Sequence, residues 1–270
     1  PMTSSVMGME VHGHGDTNMG GAFGPAFKYA GYDQIIVKGK AEKPTWVVIY
    51  NDKVEFRDAS HLWGLGAKKT TIKILEELGN PDFRVACIGP AGENLVRYAC
   101  VINNMSAAGG RTGMGCVMGS KNLKAVVVRG TSAKAAKADD EGFKLAMKTA
   151  MQEIKDSALA EGLHMMGSDA NMDLGMVTGD VPVKNWTSGG EFDLASNLSG
   201  PTMREKYLTK AHACTNCPIA CKRVVKVDDG PYTTEEGPGP EYETCAVFGT
   251  MMMNPDLTAV IKANEFCNRY

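Results

Sequence analysis

The stretch HACTNCPIACKR holds Cys214, Cys217 and Cys221 in a C-x₂-C-x₃-C run. Thiolates bind zinc or iron–sulfur clusters, and close spacing lets one loop reach several corners of a cluster. Two C-x₂-C pairs would point to zinc. A triplet with Pro218 directly after the second cysteine suits three corners of a [4Fe–4S] cube. A zinc site and three unrelated thiols are the alternative readings. A cube also needs a fourth ligand, and Cys245 and Cys267 are the nearby candidates.

Two glycine-rich stretches could hold an anion. In GHGDTNMGGAFGPAFKYAGYD, residues 13–33, glycines surround polar Asp16, Thr17 and Asn18. Glycine lets backbone N–H groups approach a phosphate closely. A series of tight turns explains the same composition. No G-x-G-x-x-G lies between a strand and a helix here, so the dinucleotide fingerprint does not fit. The second stretch, NNMSAAGGRTGMGCVMGSKNLKAVVV, residues 103–128, adds Arg111, Lys121 and Lys124 as cations for a second phosphate. It lacks the G-K-[ST] of a Walker loop. Two such loops in one β domain suggest a bulky, phosphate-bearing cofactor.

In GPEYETCAVFG, residues 239–249, Glu241 and Glu243 flank Tyr242 just before an apolar helical run. A carboxylate at a buried helix start can do acid–base work. Capping of the helix N-terminus is the competing explanation.

The elements that must position these residues change in texture along the chain. TWVVIYNDKVEFRDA reads as a hairpin turning at Asn51 and Asp52. YDQIIVKGKA, RVACIG and KAVVVRG read as further strands, and TTIKILEELGN as a helix ending in Gly-Asn. SAKAAKADD, residues 132–140, is small and charged and reads as a linker. DEGFKLAMKTAMQEIKDSALAEG, PTMREKYLTKA and PDLTAVIKANEFCNRY beyond it read as helices. The expected architecture is α+β: a β-rich domain over residues 1–131, then a helical domain over 132–270.

The 270 residues carry a formal charge of −2, which gives no reason to expect a nucleic acid or an anionic membrane as partner. No apolar run approaches the ~20 residues of a membrane span, and no basic-then-apolar leader is visible. Eight cysteines, three of them clustered, fit a reduced, cytoplasmic compartment with one metal site better than a disulfide scaffold. The opening on Pro1 and the unfinished helical run at Tyr270 suggest a piece of a longer chain.

Taken in order, GGAFGPAFKYAGYDQIIVKGKA, AAGGRTGMGCVMGSKNLKAVVVRG, CTNCPIAC and GPEYET resemble the tungsten-containing aldehyde:ferredoxin oxidoreductase family. The resemblance implies an N-domain of two β-sheets under a tungsten bis-pterin cofactor, followed by helical domains. It implies oxidation of aldehydes to carboxylic acids, with electrons leaving through a [4Fe–4S] cluster to ferredoxin or a partner subunit in an oligomer. Asn18, Met19 and Gly20 match the first pterin-contacting loop. Ser106, Ala107, Gly109 and Arg111 fall in the second, and Ser106 stands where many members carry Arg. The carbonyls of Asn18 and Ala107 would face a Mg²⁺ that bridges the pterin phosphates. Cys214, Cys217 and Cys221 match three cluster ligands, with the fourth beyond Tyr270. A pterin-binding Gly-Leu-Asp segment, further pterin contacts and a catalytic histidine would also follow Tyr270. Glu243 matches a carboxylate near the metal.

Cys245 marks a second branch of that family, the class II benzoyl-CoA reductase type, in which a cysteine near this point is a tungsten ligand. The resemblance therefore leaves reduction of an aryl- or acyl-CoA thioester as the alternative activity. A zinc- or cluster-bearing structural module is the non-catalytic one. On a helix, Glu243 and Cys245 would point about 200° apart, because each residue turns roughly 100°. The expected arrangement has Glu243 facing the metal cavity and Cys245 packed behind it.

Overall fold

A computed structural model describes residues 15–131, 137–188 and 192–270. The chain divides into two compact units, Pro1–Ala136 with Asn268–Tyr270 and Lys137–Cys267. Residues 132–136 of the expected linker lie outside the described residues, as do Gly13 and His14 of the first glycine stretch. Among the described residues, no helix is long and apolar enough to cross a membrane.

The first unit runs α1 (Phe23–Tyr29), β1 (Thr45–Tyr50), β2 (Lys53–Asp58), α2 (Ala67–Leu78), β3 (Arg84–Cys87) and α3 (Pro90–Glu93). It continues with β4 (Val101–Asn103), β5 (Ala107–Gly109), α4 (Met114–Ser120) and β6 (Leu123–Arg129). The strands form one sheet in the order β2-β1-β6-β3-β4-β5. β1 and β6 pair parallel, and the other pairs are antiparallel.

Both faces of this sheet are covered. Alternate residues of a strand share a face. Trp46 and Val48 of β1 therefore join Ala125 and Val127 of β6 in one core cluster, with Ala67 and Ile74 of α2. Val47, Ile49, Val126 and Val128 join the opposite cluster, with Ala30 after α1 and Met118 of α4. Central strands buried on both sides need continuous apolar runs, which is what WVVI and AVVV supply. Burying each such branched side chain contributes about 1.5–3 kcal/mol.

The hairpin forms as the sequence indicates, with Asn51 at φ 51° in the left-handed region that Asn tolerates. The segment YDQIIVKGKA joins no strand of the sheet, and Ile35 and Ile36 are exposed. Its β-branched residues are a local preference, whereas a strand needs a neighbouring edge to bond to.

The second unit holds α5 (Asp140–Lys155), α6 (Ala158–Met166), α7 (Asn171–Thr178) and α8 (Gly200–Lys206). Then come β7 (Leu208–His212), β8 (Lys222–Val225), β9 (Gly237–Pro238), α9 (Tyr242–Phe248) and α10 (Leu257–Arg269). Its core gathers Met172, Val181, Leu198, Met203, Val225, Cys245, Val260 and Ile261. The unit also holds a small sheet, β7-β8-β9, that the helical pattern of the sequence does not mark. PTMREKYLTKA, expected as one helix, ends its helix at Lys206 and turns into β7. The edge of β8 captures it, pairing Ala211 with Arg223 and His212 with Lys222.

Candidate functional site

In the first unit the two glycine loops are knitted together. Thr112 Oγ1 donates to the Asp16 carbonyl at 3.1 Å, and the Arg111 N–H donates to Thr17 Oγ1 at 3.2 Å. Asn103 Nδ2 donates to the Gly20 carbonyl at 2.7 Å. As numbering rises along the first loop it falls along the second, so the two run antiparallel. Asn18, Met19 and Gly20 therefore lie in one crease with Ala107, Gly109 and Arg111. Gly21 sits at φ 90°, and a Cβ there would come 2.6 Å from Asn103 Nδ2 and 3.4 Å from the Ala107 Cβ. Only glycine fits that approach. Ser106 closes the β4–β5 turn, its N–H donating to the Asn103 carbonyl at 3.1 Å. Asn104 and Met105 before it are left-handed, at φ 48° and 62°.

Asn103 Oδ1 and Asn104 Oδ1 are buried and have no hydrogen-bond partner among the described residues. Buried acceptors ordinarily find donors. The crease therefore suits a ligand that brings its own N–H or O–H groups, as a pterin ring does, and the residues present fit that group. Of the three cations read as phosphate partners, two are otherwise engaged. Lys124 is fully buried, donating to the Leu65 carbonyl at 2.8 Å and paired with Glu93. Lys121 donates to the Gly39 carbonyl at 3.1 Å. Burial is the main cause holding the Lys124 ammonium below its usual pKa. The arginine is exposed at the crease.

In the second unit Cys214, Cys217 and Cys221 lie on the loop joining β7 to β8, each half-buried. The Cys217 N–H donates to the Cys214 carbonyl at 3.1 Å. Asn216 at φ 61° and Ala220 at φ 54° curl the loop back on itself. Burial, then Glu241, then the neighbouring Cys217 and Cys214 push the Cys221 thiol up. The three thiols thus share one electrostatic neighbourhood. Among the described residues no group of three or more His, Cys, Asp or Glu is arranged around a single ion. A cluster takes its thiolate ligands at separate corners, and three thiols on one loop are a donor set of that kind.

Arg223 holds this loop from behind. The residue is 4% exposed, and its guanidinium donates to the carbonyls of Cys221 at 3.1 Å, Ala220 at 3.0 Å and Met165 at 3.1 Å. His164 Nδ1 lies 2.7 Å from the Ile219 carbonyl.

Nearby, α9 begins after Glu241. The Ser168 hydroxyl donates to Glu241 Oε2 and accepts from the Tyr242 N–H at 3.0 Å. Glu243 is exposed, whereas Cys245, two residues on, is fully buried in the core. Cys245 Sγ donates to Asp169 Oδ2 at 3.4 Å. Burial first, and the carboxylates Glu241 and Glu243 after it, push Asp169 up to about 8. Burial and Asp169 likewise push the Cys245 thiol far up.

Sequence reasoning passed over Asn103, Asp169 and Arg223. Arg223 could have been suspected from its place next to the cysteine run. Nothing local marks Asp169 or Asn103, whose partners lie 76 and 83 positions away.

A β-sheet unit carrying a glycine crease is thus followed by a mainly helical unit carrying a three-thiol loop. Residues 4–130 match the family described as aldehyde ferredoxin oxidoreductase, N-terminal domain, and residues 145–270 match its domains 2 and 3. The chain belongs to the aldehyde ferredoxin oxidoreductase family. It is 40% identical over 252 residues to a tungsten-containing aldehyde ferredoxin oxidoreductase of Pyrococcus furiosus, covering 93% of this chain and 41% of the relative. The corresponding protein of Thermococcus kodakarensis is 39% identical, with 94% and 41% covered. The chain thus spans about two fifths of these relatives' length. A solved structure, the active site complex BamBC of benzoyl coenzyme A reductase with 1,5-dienoyl-CoA, matches with a TM-score of 0.78 and 29% identity. That match covers 94% of this chain and 39% of the other.

Proposed function

We propose that the chain is the N-terminal part of a cytoplasmic tungsten bis-pterin oxidoreductase that converts aldehydes to carboxylic acids. A [4Fe–4S] cluster held by Cys214, Cys217 and Cys221 would supply the outlet for its electrons toward ferredoxin or a partner subunit. The observation that carries the reading is the division of labour on α9, with Glu243 on its outer side and Cys245 in the core. It favours a carboxylate rather than a thiolate serving the metal.

The crease between the glycine loops would hold the pterin, with Asn18, Met19, Gly20, Ser106, Ala107, Gly109 and Arg111 along it and the Asn18 and Ala107 carbonyls toward Mg²⁺. Cys214, Cys217 and Cys221 would hold the cluster. When bound, the tungsten–pterin group supplies a two-electron acceptor for the aldehyde carbon. Glu243 takes a proton from the water that adds to the aldehyde carbonyl. Aldehyde and water give the carboxylic acid, two electrons and two protons.

In the full-length protein, Glu243→Gln is expected to abolish aldehyde-dependent dye reduction with tungsten content unchanged. Unimpaired turnover would overturn the role given to Glu243. The likeness to the benzoyl coenzyme A reductase complex supports a second reading, reduction of an aryl- or acyl-CoA thioester substrate with Cys245 on the metal. Loss of tungsten in Cys245→Ala would promote that reading.

A further inference from the structure

Helix α9 has seven residues, too short to sustain itself. Its N-cap residue Glu241 makes no side-chain capping bond to the helix. Its orientation must therefore come from tertiary contacts. Two adjacent residues supply them at the first turn. Ser168 Oγ accepts from the Tyr242 N–H and donates to Glu241, and Asp169 Oδ2 accepts from the Cys245 thiol. At the other end Gly249 passes so close to the helix and to Leu198 that a Cβ there would lie 2.3 Å from the Cys245 carbonyl and from Leu198 Cδ1.

Asp169 is out of place by solubility alone. It is 1% exposed, and its Oδ1 has no partner among the described residues. A buried carboxyl with one oxygen unmatched costs stability. A hydrophobic residue at this position would avoid that cost but could not accept from the thiol.

We propose that Asp169 is a positioning residue: its hydrogen bond to Cys245 fixes the rotation of α9 about its own axis, so that Cys245 stays in the core and Glu243 is presented outward. The inference rests on the reading of Glu243 as the catalytic carboxylate and names the residue that holds it in place. Side chains two positions apart on a helix point about 200° apart, so anchoring one commits the other.

The test uses the full-length protein and needs no turnover. Native-state iodoacetamide labelling of Cys245, read by peptide mass spectrometry, should run at least 100-fold slower than in urea. Asp169→Asn keeps an acceptor oxygen and should preserve that protection. Asp169→Leu removes it and should speed labelling at least tenfold. Labelling of Asp169→Leu at the wild-type rate, or of native wild type at the unfolded rate, overturns the proposal. Should Asp169→Leu not fold, the infrared S–H stretch decides, assigned by its loss in Cys245→Ala. Read at pH 9, above the value of about 8 to which burial pushes Asp169, it should move to higher wavenumber in Asp169→Asn, because an amide oxygen accepts more weakly than a carboxylate. An unmoved band overturns the proposal. These readouts are independent of the metal, so their failure is separable from failure of the Glu243→Gln test.

Discussion

Asn103 Nδ2 lies 2.7 Å from the carbonyl oxygen of Gly20, tying the end of β4 to a loop 83 positions earlier. With the bonds from Thr112 to Asp16 and from Arg111 to Thr17, that bond ties the two glycine loops together. Asn103→Ala removes it and should cost about 1–3 kcal/mol. Gly21→Ala should act alike, through a strained φ and the clash with Asn103 Nδ2. Both variants of the full-length protein should also lose tungsten, measured by elemental analysis beside a urea midpoint. Lower stability with full tungsten would leave the crease no part in holding the cofactor.

Arg223 bonds three carbonyls at once, two of them on the cysteine loop. Lysine keeps the charge but lacks the planar fork that reaches several acceptors. Arg223→Lys should therefore lower iron per protein while circular dichroism stays unchanged. Iron equal to wild type would reduce the arginine to packing.

Lys124 and Glu93 form a buried pair, at 0% and 4% side-chain exposure, and Glu93 Oε2 also accepts from the Gly64 N–H at 2.7 Å. Removing one partner strands the other charge. Lys124→Met should destabilise by about 3–5 kcal/mol, and Lys124→Met with Glu93→Leu should recover much of that. Denaturant midpoints of the two variants check it. A double variant no better than the single one would count against the pairing.

The thiol of Cys87 is fully buried, and burial pushes it up to about 11 from its ordinary 9.0. The unfolded chain loses this proton first. The stabilisation is thus complete below pH 9 and fades as pH rises toward 11, by roughly 2–3 kcal/mol. Cys87→Ala should flatten that part of the stability profile, measured as urea midpoints across the window. An equally steep decline in the variant would assign the alkaline sensitivity elsewhere.

The sequence by itself determined whatever depends on neighbours along the chain. Period and turn chemistry marked the hairpin at Asn51 and the helix that stops at Gly79, left-handed at φ 60°. Spacing alone put three thiols on one loop, and 200° of helix separated Glu243 from Cys245 once that segment was helical.

Other features depended on partners far away in the chain, which only the tertiary structure brings together. Leu208 to Ala211 looked helical and became part of a strand because β8 offered an edge. Residues 32–41 looked extended and joined no strand for want of one. Lys124 looked like a phosphate ligand until folding set it against Glu93, 31 positions away. Asp169 carries no local mark in the sequence, and only the packing of α9 lays a thiol against it. A hydrogen bond or ion pair is decided by which groups are excluded from water together. That exclusion is a property of the packed core, whereas local periodicity records only which face of an element turns inward.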